Sequence, residues 1–308
     1  MRYLDIVFGP EQASEIILGC MRMPALSVGE AAKVIRAAWE AGINFFDHAT
    51  CYGDGEAELR FGEAFPKAGL RREDVFLQSK CGLHFDRQEF DWSRDDILES
   101  VDGSLRRLKT DYLDVLLLHR PDLLFEPEQV AEAFETLEQA GKVRHFGVSN
   151  VTPGQLDLLI HFVRQPLVIN QLQFSLEQSQ LIDQGLYLNN KTTERSCDRD
   201  GGLLDYCRLH SITIQAWSPL QFGMFGGCFI DHPDFPELNQ ALAELGEKYG
   251  VSKAAIAVAW ILRHPAHMQV VAGTMDPDHL RALCAASGVR LTHQEWYRLY
   301  LAAGKFLP

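Results

Sequence analysis

The chain has no apolar run approaching the ~20 residues that a membrane-crossing helix requires. The longest, 254–262, has the length of a buried helix. No G-x-G-x-x-G is present, which argues against a Rossmann dinucleotide site. Gly147-Val-Ser149-Asn-Val151 lacks the final glycine of a nucleophile elbow, and Pro121 breaks the likeness of His119-Arg-Pro-Asp122 to a kinase catalytic loop. Seven scattered cysteines contain no C-x-x-C, and no His, Cys, Asp or Glu grouping has metal-ligand spacing. The thiols fit a reduced, cytoplasmic protein, and the first residues carry no signal-like apolar stretch. With 29 basic residues against 42 acidic, net charge is −13, and the basic residues form no stripe, so no nucleic-acid partner is expected. No Pro/Gly/Ser linker divides the 308 residues, and 1–308 reads as one domain. Its oligomeric state is left between a monomer and a small homo-oligomer.

What the chain does have is alternation. Apolar runs at 16–20, 43–47, 75–80, 113–119, 143–149, 167–171, 212–217 and 268–273 are rich in Val, Ile, Leu and Phe, as in parallel strands buried on both faces. Amphipathic segments lie between them, near 29–41, 55–66, 95–108, 127–140, 153–163, 203–209, 237–249 and 277–286. Ser27-Val-Gly-Glu30 and Thr292-His-Gln-Glu295 have the capping-box pattern, and Thr152-Pro153 and Asp276-Pro277 place a cap before a first-turn proline. Eight strand–helix units predict an α/β fold, a (β/α)8 TIM barrel, over a doubly wound open sheet. A short N-terminal hairpin, 2–8 with 14–17, and extra C-terminal helices near 252–264 and from 292 are expected. Residues 176–202, including the polar stretch 189–193, read as a long loop.

In such a barrel chemistry gathers at the C-terminal strand ends. Those ends carry Asp47, Lys80 and His119, with Tyr52 five residues after Asp47. Asp47 is the natural partner of a buried Lys80, and an ammonium beside the Tyr52 hydroxyl is expected to lower its pKa and make it a general acid. His119 can donate to a substrate oxygen. The set suits protonation of an oxygen as it gains negative charge, with hydride supplied by a cofactor. Ser149, Asn150 and Gln171 can hold a carboxamide, and Trp217 can stack on a flat ring. The segments following strands seven and eight, Ser218-Pro219-Leu220 and Gly273-Thr274-Met275-Asp276-Pro277, suit phosphate contacts. Met23, Phe85, Trp92 and Pro121, in loops after the first, third and fourth strands, are substrate-wall candidates, beside Tyr52 and His119.

Taken together, Asp47-His-Ala-Thr-Cys-Tyr52-Gly53, Ser79-Lys80-Cys-Gly82, Leu118-His119-Arg-Pro-Asp122, Gly141-Lys-Val-Arg-His-Phe-Gly-Val-Ser149-Asn150 and Ala216-Trp217-Ser218-Pro219-Leu220 resemble the aldo-keto reductase superfamily, and within it the bacterial YdhF-like oxidoreductases. The resemblance implies NAD(P)H-dependent reduction of an aldehyde or ketone, with Tyr52 as acid, Lys80 tuning it, Asp47 holding Lys80 and His119 orienting the carbonyl. It also implies that Gly19, Cys20, Met21 and Asp47 lie along the cofactor, that Ser149, Asn150, Gln171 and Trp217 hold the nicotinamide, and that Ser218, Leu220, Gly273, Thr274 and His279 lie near phosphates or ribose. NADP(H) is the implied cofactor. NAD(H) is the alternative, because Asp276 and Asp278 would repel a 2′-phosphate if they faced it. The second functional reading is a redox-nucleotide-sensing binding subunit with little turnover.

Overall fold

The computed structural model describes residues 1–4, 12–187, 193–224 and 226–308. A two-residue antiparallel ladder, β1 (Tyr3–Leu4) with β2 (Ala13–Ser14), precedes the first barrel strand, β3 (Ile16–Gly19). In chain order there follow α1 (Val28–Glu40), β4 (Phe45–Asp47), α2 (Glu56–Ala68), β5 (Phe76–Cys81), β6 (Leu83–His84), β7 (Glu89–Phe90) and α3 (Arg94–Leu108). Then come β8 (Leu113–Leu118), α4 (Pro127–Gln139), β9 (Val143–Ser149), α5 (Pro153–Phe162), β10 (Leu167–Gln173), α6 (Gln180–Tyr187) and α7 (Leu203–Leu209). The chain closes with β11 (Thr213–Trp217), α8 (Pro236–Tyr249), α9 (Lys253–Leu262), β12 (Gln269–Ala272), α10 (Pro277–Cys284) and α11 (His293–Ala302).

The eight apolar runs are the eight barrel strands. They pair in parallel in the closed order β3-β4-β5-β8-β9-β10-β11-β12, and β12 returns to β3 through Ile17 opposite Val271. The helix punctuation holds locally. Ser27 and Glu30, and Thr292 and Glu295, satisfy each other's backbone N–H groups as capping boxes. Two apolar layers result. The larger lies between sheet and helices, and a smaller one, including Ile17, Phe45, Phe76, Val115 and Leu117, fills the barrel interior.

Three expectations change. The ladder partner of the N-terminus is 13–14, because Ile16 and Ile17 belong to β3; residues 5–8 of the expected hairpin lie outside the described residues. The stretch 176–202 is not a plain loop: it contains α6 and a one-turn helix, Glu194–Ser196. Residues 189–192 of its polar run lie outside the described residues. A second small hairpin, β6 with β7, stands beside the cleft.

Candidate active site

Strand alternation explains why the polar residues converge. Side chains point to opposite faces with a period of two. On β4, Phe45 packs in the barrel and Phe46 against the helices, so Asp47 faces inward at the strand's end. On β5 the same parity runs Phe76, Gln78, Lys80 inward, while Ser79 faces α2 and donates to Glu58 at 2.5 Å. Val115 and Leu117 set the inward phase of β8, and His119 follows two residues on. Ser149, Gln171 and Trp217 hold the equivalent places on β9, β10 and β11.

Lys80 is fully buried, and all three ammonium protons are used. It donates to Asp47 Oδ1 at 2.6 Å, to the His48 carbonyl at 2.7 Å and to the Tyr52 hydroxyl at 3.2 Å. Burial pulls its pKa down, but Asp47 and Tyr52 more than reverse this and leave it above the usual lysine value. Tyr52 corrects the sequence expectation. Burial pushes its pKa up to about 12, and Lys80 offsets only part of that rise because Asp47 opposes it. Its hydroxyl is therefore protonated throughout the neutral range. The half-buried His119 stands edge-on to Tyr52, with ring centroids 5.9 Å apart. Burial first, then Lys80⁺ and Arg120⁺, hold its pKa well below the usual imidazole value, so it is neutral. Its Nδ1 lies 3.4 Å from Cys51 Sγ, whose thiol burial pushes up to about 11.

Beneath these groups runs a chain of buried amides, of which sequence reading named only Gln171. Asp47 Oδ1 also accepts from Gln78 Nε2 at 2.6 Å and from Gln171 Nε2 at 3.2 Å. Both glutamines donate to Gln215 Oε1 at 2.9 Å, Gln215 donates to Gln269 Oε1 at 3.0 Å, and Gln269 donates to the Ser14 carbonyl at 2.8 Å. Inward parity on four strands was the available signal. Beside the cluster, Ser149 Oγ donates to the Gln171 carbonyl, Asn150 Nδ2 donates to Ser149 Oγ, and Trp217 Nε1 donates to Asn150 Oδ1 at 3.2 Å. Asn150 and Ser218 have left-handed φ values of 60° and 52°, turning the chain sharply as it leaves β9 and β11.

These groups open into a cleft of about 1840 Å³. A drug-sized pocket holds ~300–1,000 Å³, so there is room for a dinucleotide and a substrate together. Asp47, Tyr52, His119, Ser149, Asn150 and Gln171 line it. So do Gly19, Met21, Trp217, Ser218, Leu220, Gly273 and Thr274 on one side and Phe85 on the other. Lys80 lies directly under Tyr52.

Besides Lys80, five expected residues do not line it. Cys20 is fully buried, its Sγ on the Leu18 carbonyl and its N–H on the Asp47 carbonyl. Met23 is fully buried in the core. Trp92 is fully buried too, packed on Phe125 with ring centroids 5.0 Å apart, in space that a Cβ at Gly82 would occupy. These two are core, not substrate wall. His279 is exposed in the first turn of α10. Pro121 is also absent from the lining. Two arginines were missed, Arg22 and Arg120. Arg22 donates to the Gly273 carbonyl at 3.0 Å, where a Cβ on residue 273 would collide with its guanidinium. The carboxylates near β12 also look different in three dimensions. Asp276 Oδ1 accepts from the N–H groups of Asp278 and His279, capping α10, and Asp278 pairs with Arg281 at 2.6 Å.

The model of the aldo/keto reductase family matches residues 15–300. The chain belongs to that family. It is 34% identical over 305 residues to the oxidoreductase YdhF of Escherichia coli, covering 96% of this chain and 95% of that one. It is 33% identical over 304 residues to the oxidoreductase YcsN of Bacillus subtilis, covering 94% of each. Among solved structures it is similar to an aldo/keto reductase from Klebsiella pneumoniae in complex with NADP and acetate. There the TM-score is 0.74 at 27% identity, over 94% of this chain and 90% of that one. This aldo/keto reductase is accordingly an NAD(P)H-dependent oxidoreductase that reduces carbonyl compounds.

Proposed function

We propose that the cleft reduces an aldehyde or ketone to an alcohol with Tyr52 as proton donor, Lys80 and Asp47 holding it, and His119 orienting the carbonyl oxygen. The observation that carries this reading is the Asp47–Lys80–Tyr52 chain of hydrogen bonds at one end of the barrel. The residues present fit a nicotinamide dinucleotide. Trp217 offers a flat face, Ser149, Asn150 and Gln171 offer amide and hydroxyl groups, and Arg22, Ser218, Gly273 and Thr274 line the side suited to the pyrophosphate and ribose. When bound, NADPH or NADH supplies hydride from nicotinamide C4.

Each side chain then has a defined task. Tyr52 holds its proton until negative charge develops on the substrate oxygen. An alkoxide has a conjugate acid about as weak as water, pKa ~15.7, so transfer from a phenol near 12 is downhill. Lys80⁺ steadies the phenolate left behind, and Asp47⁻ keeps that ammonium charged. The Cys51 thiol stays protonated, and we assign it as the hydrogen-bond donor to His119 Nδ1, the tautomer that leaves Nε2–H free to donate to the carbonyl oxygen. We read 1–308 as one domain. No two cysteines are bridged, which supports a reducing compartment such as the cytoplasm.

The test is reduction of an activated aromatic aldehyde, followed by loss of NADPH or NADH absorbance. Tyr52→Phe should lower kcat by about 10²–10⁴-fold while cofactor still binds. A Tyr52→Phe enzyme as fast as wild type removes Tyr52 as the acid. No observation favours the sensing-subunit reading.

A further inference from the structure

Arg120 follows His119 at the mouth of β8 and lines the cleft. Its guanidinium lies over the Trp217 ring, 5.7 Å from the ring centroid. It is half-buried, and among the described residues it makes no ion pair or hydrogen bond. Other arginines with little exposure are matched. Arg2 pairs with Glu15 at 2.8 Å, Arg72 with Asp114 at 2.6 Å and Arg107 with Glu58 at 2.7 Å. Of the carboxylates that line the cleft, Asp47 is engaged on Lys80, Asp96 on Arg87 and His84, and Asp276 on its own helix; Asp54, Asp86 and Glu99 also line it, and none of them forms an ion pair with Arg120. Burial lowers the Arg120 pKa, and the one group that raises it is Tyr52.

The charge count at the reacting end follows. Lys80⁺ is paired with Asp47⁻, and His119 is neutral, so Arg120 is the positive charge at the reacting end that has no carboxylate within ion-pair distance among the described residues. A partly desolvated charge without a partner is costly, and its place beside the proton donor is where such a cost serves binding. The cofactor's phosphates are not its natural partner. Arg22, Gly273 and Thr274 stand at β12 and the loop after β3, and β12 lies four places from β8 in the ring of eight, on the opposite side. The guanidinium fork matches a carboxylate bidentately.

We infer that Arg120 selects carbonyl substrates that carry a carboxylate, so that the preferred substrates are oxo acids and not neutral aldehydes. The inference rests on the reductase reading above. Hydride and proton go to the carbonyl as already described; the carboxylate is bound, not transformed.

The experiment compares each acid with its own methyl ester at saturating NADPH: 4-formylbenzoate against methyl 4-formylbenzoate, and phenylglyoxylate against methyl phenylglyoxylate. A charge-assisted pair at a partly buried site predicts a kcat/KM preference for at least one acid of about 10- to 100-fold, mainly through KM. Arg120→Met should bring that ratio to within about threefold of one. Arg120→Lys should retain part of it, because a point charge replaces a fork. In parallel, calorimetry measures benzoate and benzamide binding to the NADPH-loaded protein, and benzoate affinity should fall about tenfold or more in Arg120→Met. Thermal unfolding supplies the structural control: removing an unpaired charge should leave Tm equal or higher. An acid-to-ester ratio near one for both pairs in the wild type, or the same ratio in Arg120→Met, overturns the assignment. So does a large drop in Tm, which would make Arg120 a structural element. Should no carbonyl be reduced by the wild type, the reductase reading falls, while benzoate binding lost in Arg120→Met still assigns the anion site and unchanged benzoate binding removes it.

Discussion

Replacing Lys80 by methionine separates the structural from the chemical use of the buried ion pair. The ammonium donates to Asp47, the His48 carbonyl and Tyr52 at 2.6, 2.7 and 3.2 Å. Removing one partner of a buried pair costs about 3–5 kcal/mol, because the other charge is left uncompensated. The amides of Gln78 and Gln171 still reach Asp47, which places the cost near the lower end. For a chain of this size about 1 kcal/mol moves Tm by roughly 2–4 °C, so a drop of about 6–12 °C is expected. The chemical effect is distinct. An opposite charge at this distance is worth about 1–3 pKa units to the phenol, so Tyr52 becomes a weaker acid than it already is. The loss in kcat/KM for aldehyde reduction should be about 10- to 1000-fold, short of the whole contribution of a general acid. The double variant Asp47→Asn with Lys80→Met decides the matter. It removes both charges together, so most of the lost Tm should return, while activity should not. Thermal unfolding and NADPH-coupled aldehyde reduction read the two effects. A Lys80→Met enzyme within about threefold of wild type, or a double variant that regains activity along with Tm, refutes the account of Lys80 as the group that makes Tyr52 an effective acid.

Two other predictions follow from the same neighbourhood. Burial, then Lys80⁺, push the His48 pKa down to about 3, and neither ring nitrogen has a partner. A group depressed in the folded state contributes stability that is present above its unfolded pKa of ~6.5 and is lost as pH falls toward its folded value. Between pH 6 and pH 4, His48→Leu should therefore lose stability less steeply than wild type, by about 1.4 kcal/mol per pH unit in denaturant titrations; parallel slopes would mean that His48 is not a buried neutral group. At Cys51, Ser preserves a donor to His119 Nδ1 and Val removes it. Cys51→Val should lower kcat for reduction up to about tenfold, since a misplaced tautomer forfeits part of the carbonyl-orienting hydrogen bond. Cys51→Ser should stay near wild type, and equal rates for the two variants would dismiss the tautomer argument.

The barrel was legible because each of its strands is a short apolar run bounded by caps that work locally, as the Ser27–Glu30 and Thr292–Glu295 pairs show. The helix α6 was not legible, because polar contacts anchor it. Buried Asp183 accepts from Ser179, Tyr300 and Arg195 in place of a plain apolar stripe. The hairpin of β6 and β7 is too short for alternation to show. Within the site, Asp47, Tyr52, Lys80 and His119 could be named from strand ends alone, since parity and strand position follow from the chain. Burial does not follow in the same way. The phenol's upward shift depends on how much desolvation outweighs Lys80. Trp92 looked like pocket wall because it follows a strand, and only the glycine at position 82 and the facing Phe125 show why its indole turns inward. Arg120 reads as half of a short motif in the sequence; its want of a partner is a three-dimensional fact.

The relay of four glutamines from Asp47 to the Ser14 carbonyl links the two mouths of the cylinder. Its two ends, the Asp47 carboxylate and the Ser14 carbonyl, can only accept, so the direction of every amide between them is fixed and a flip would set buried oxygens face to face. The aspartate that anchors the lysine is thus registered against the first strands of the chain. Variation introduced at the far mouth, a full strand's length from any substrate, can retune turnover without touching the chamber where the reaction happens.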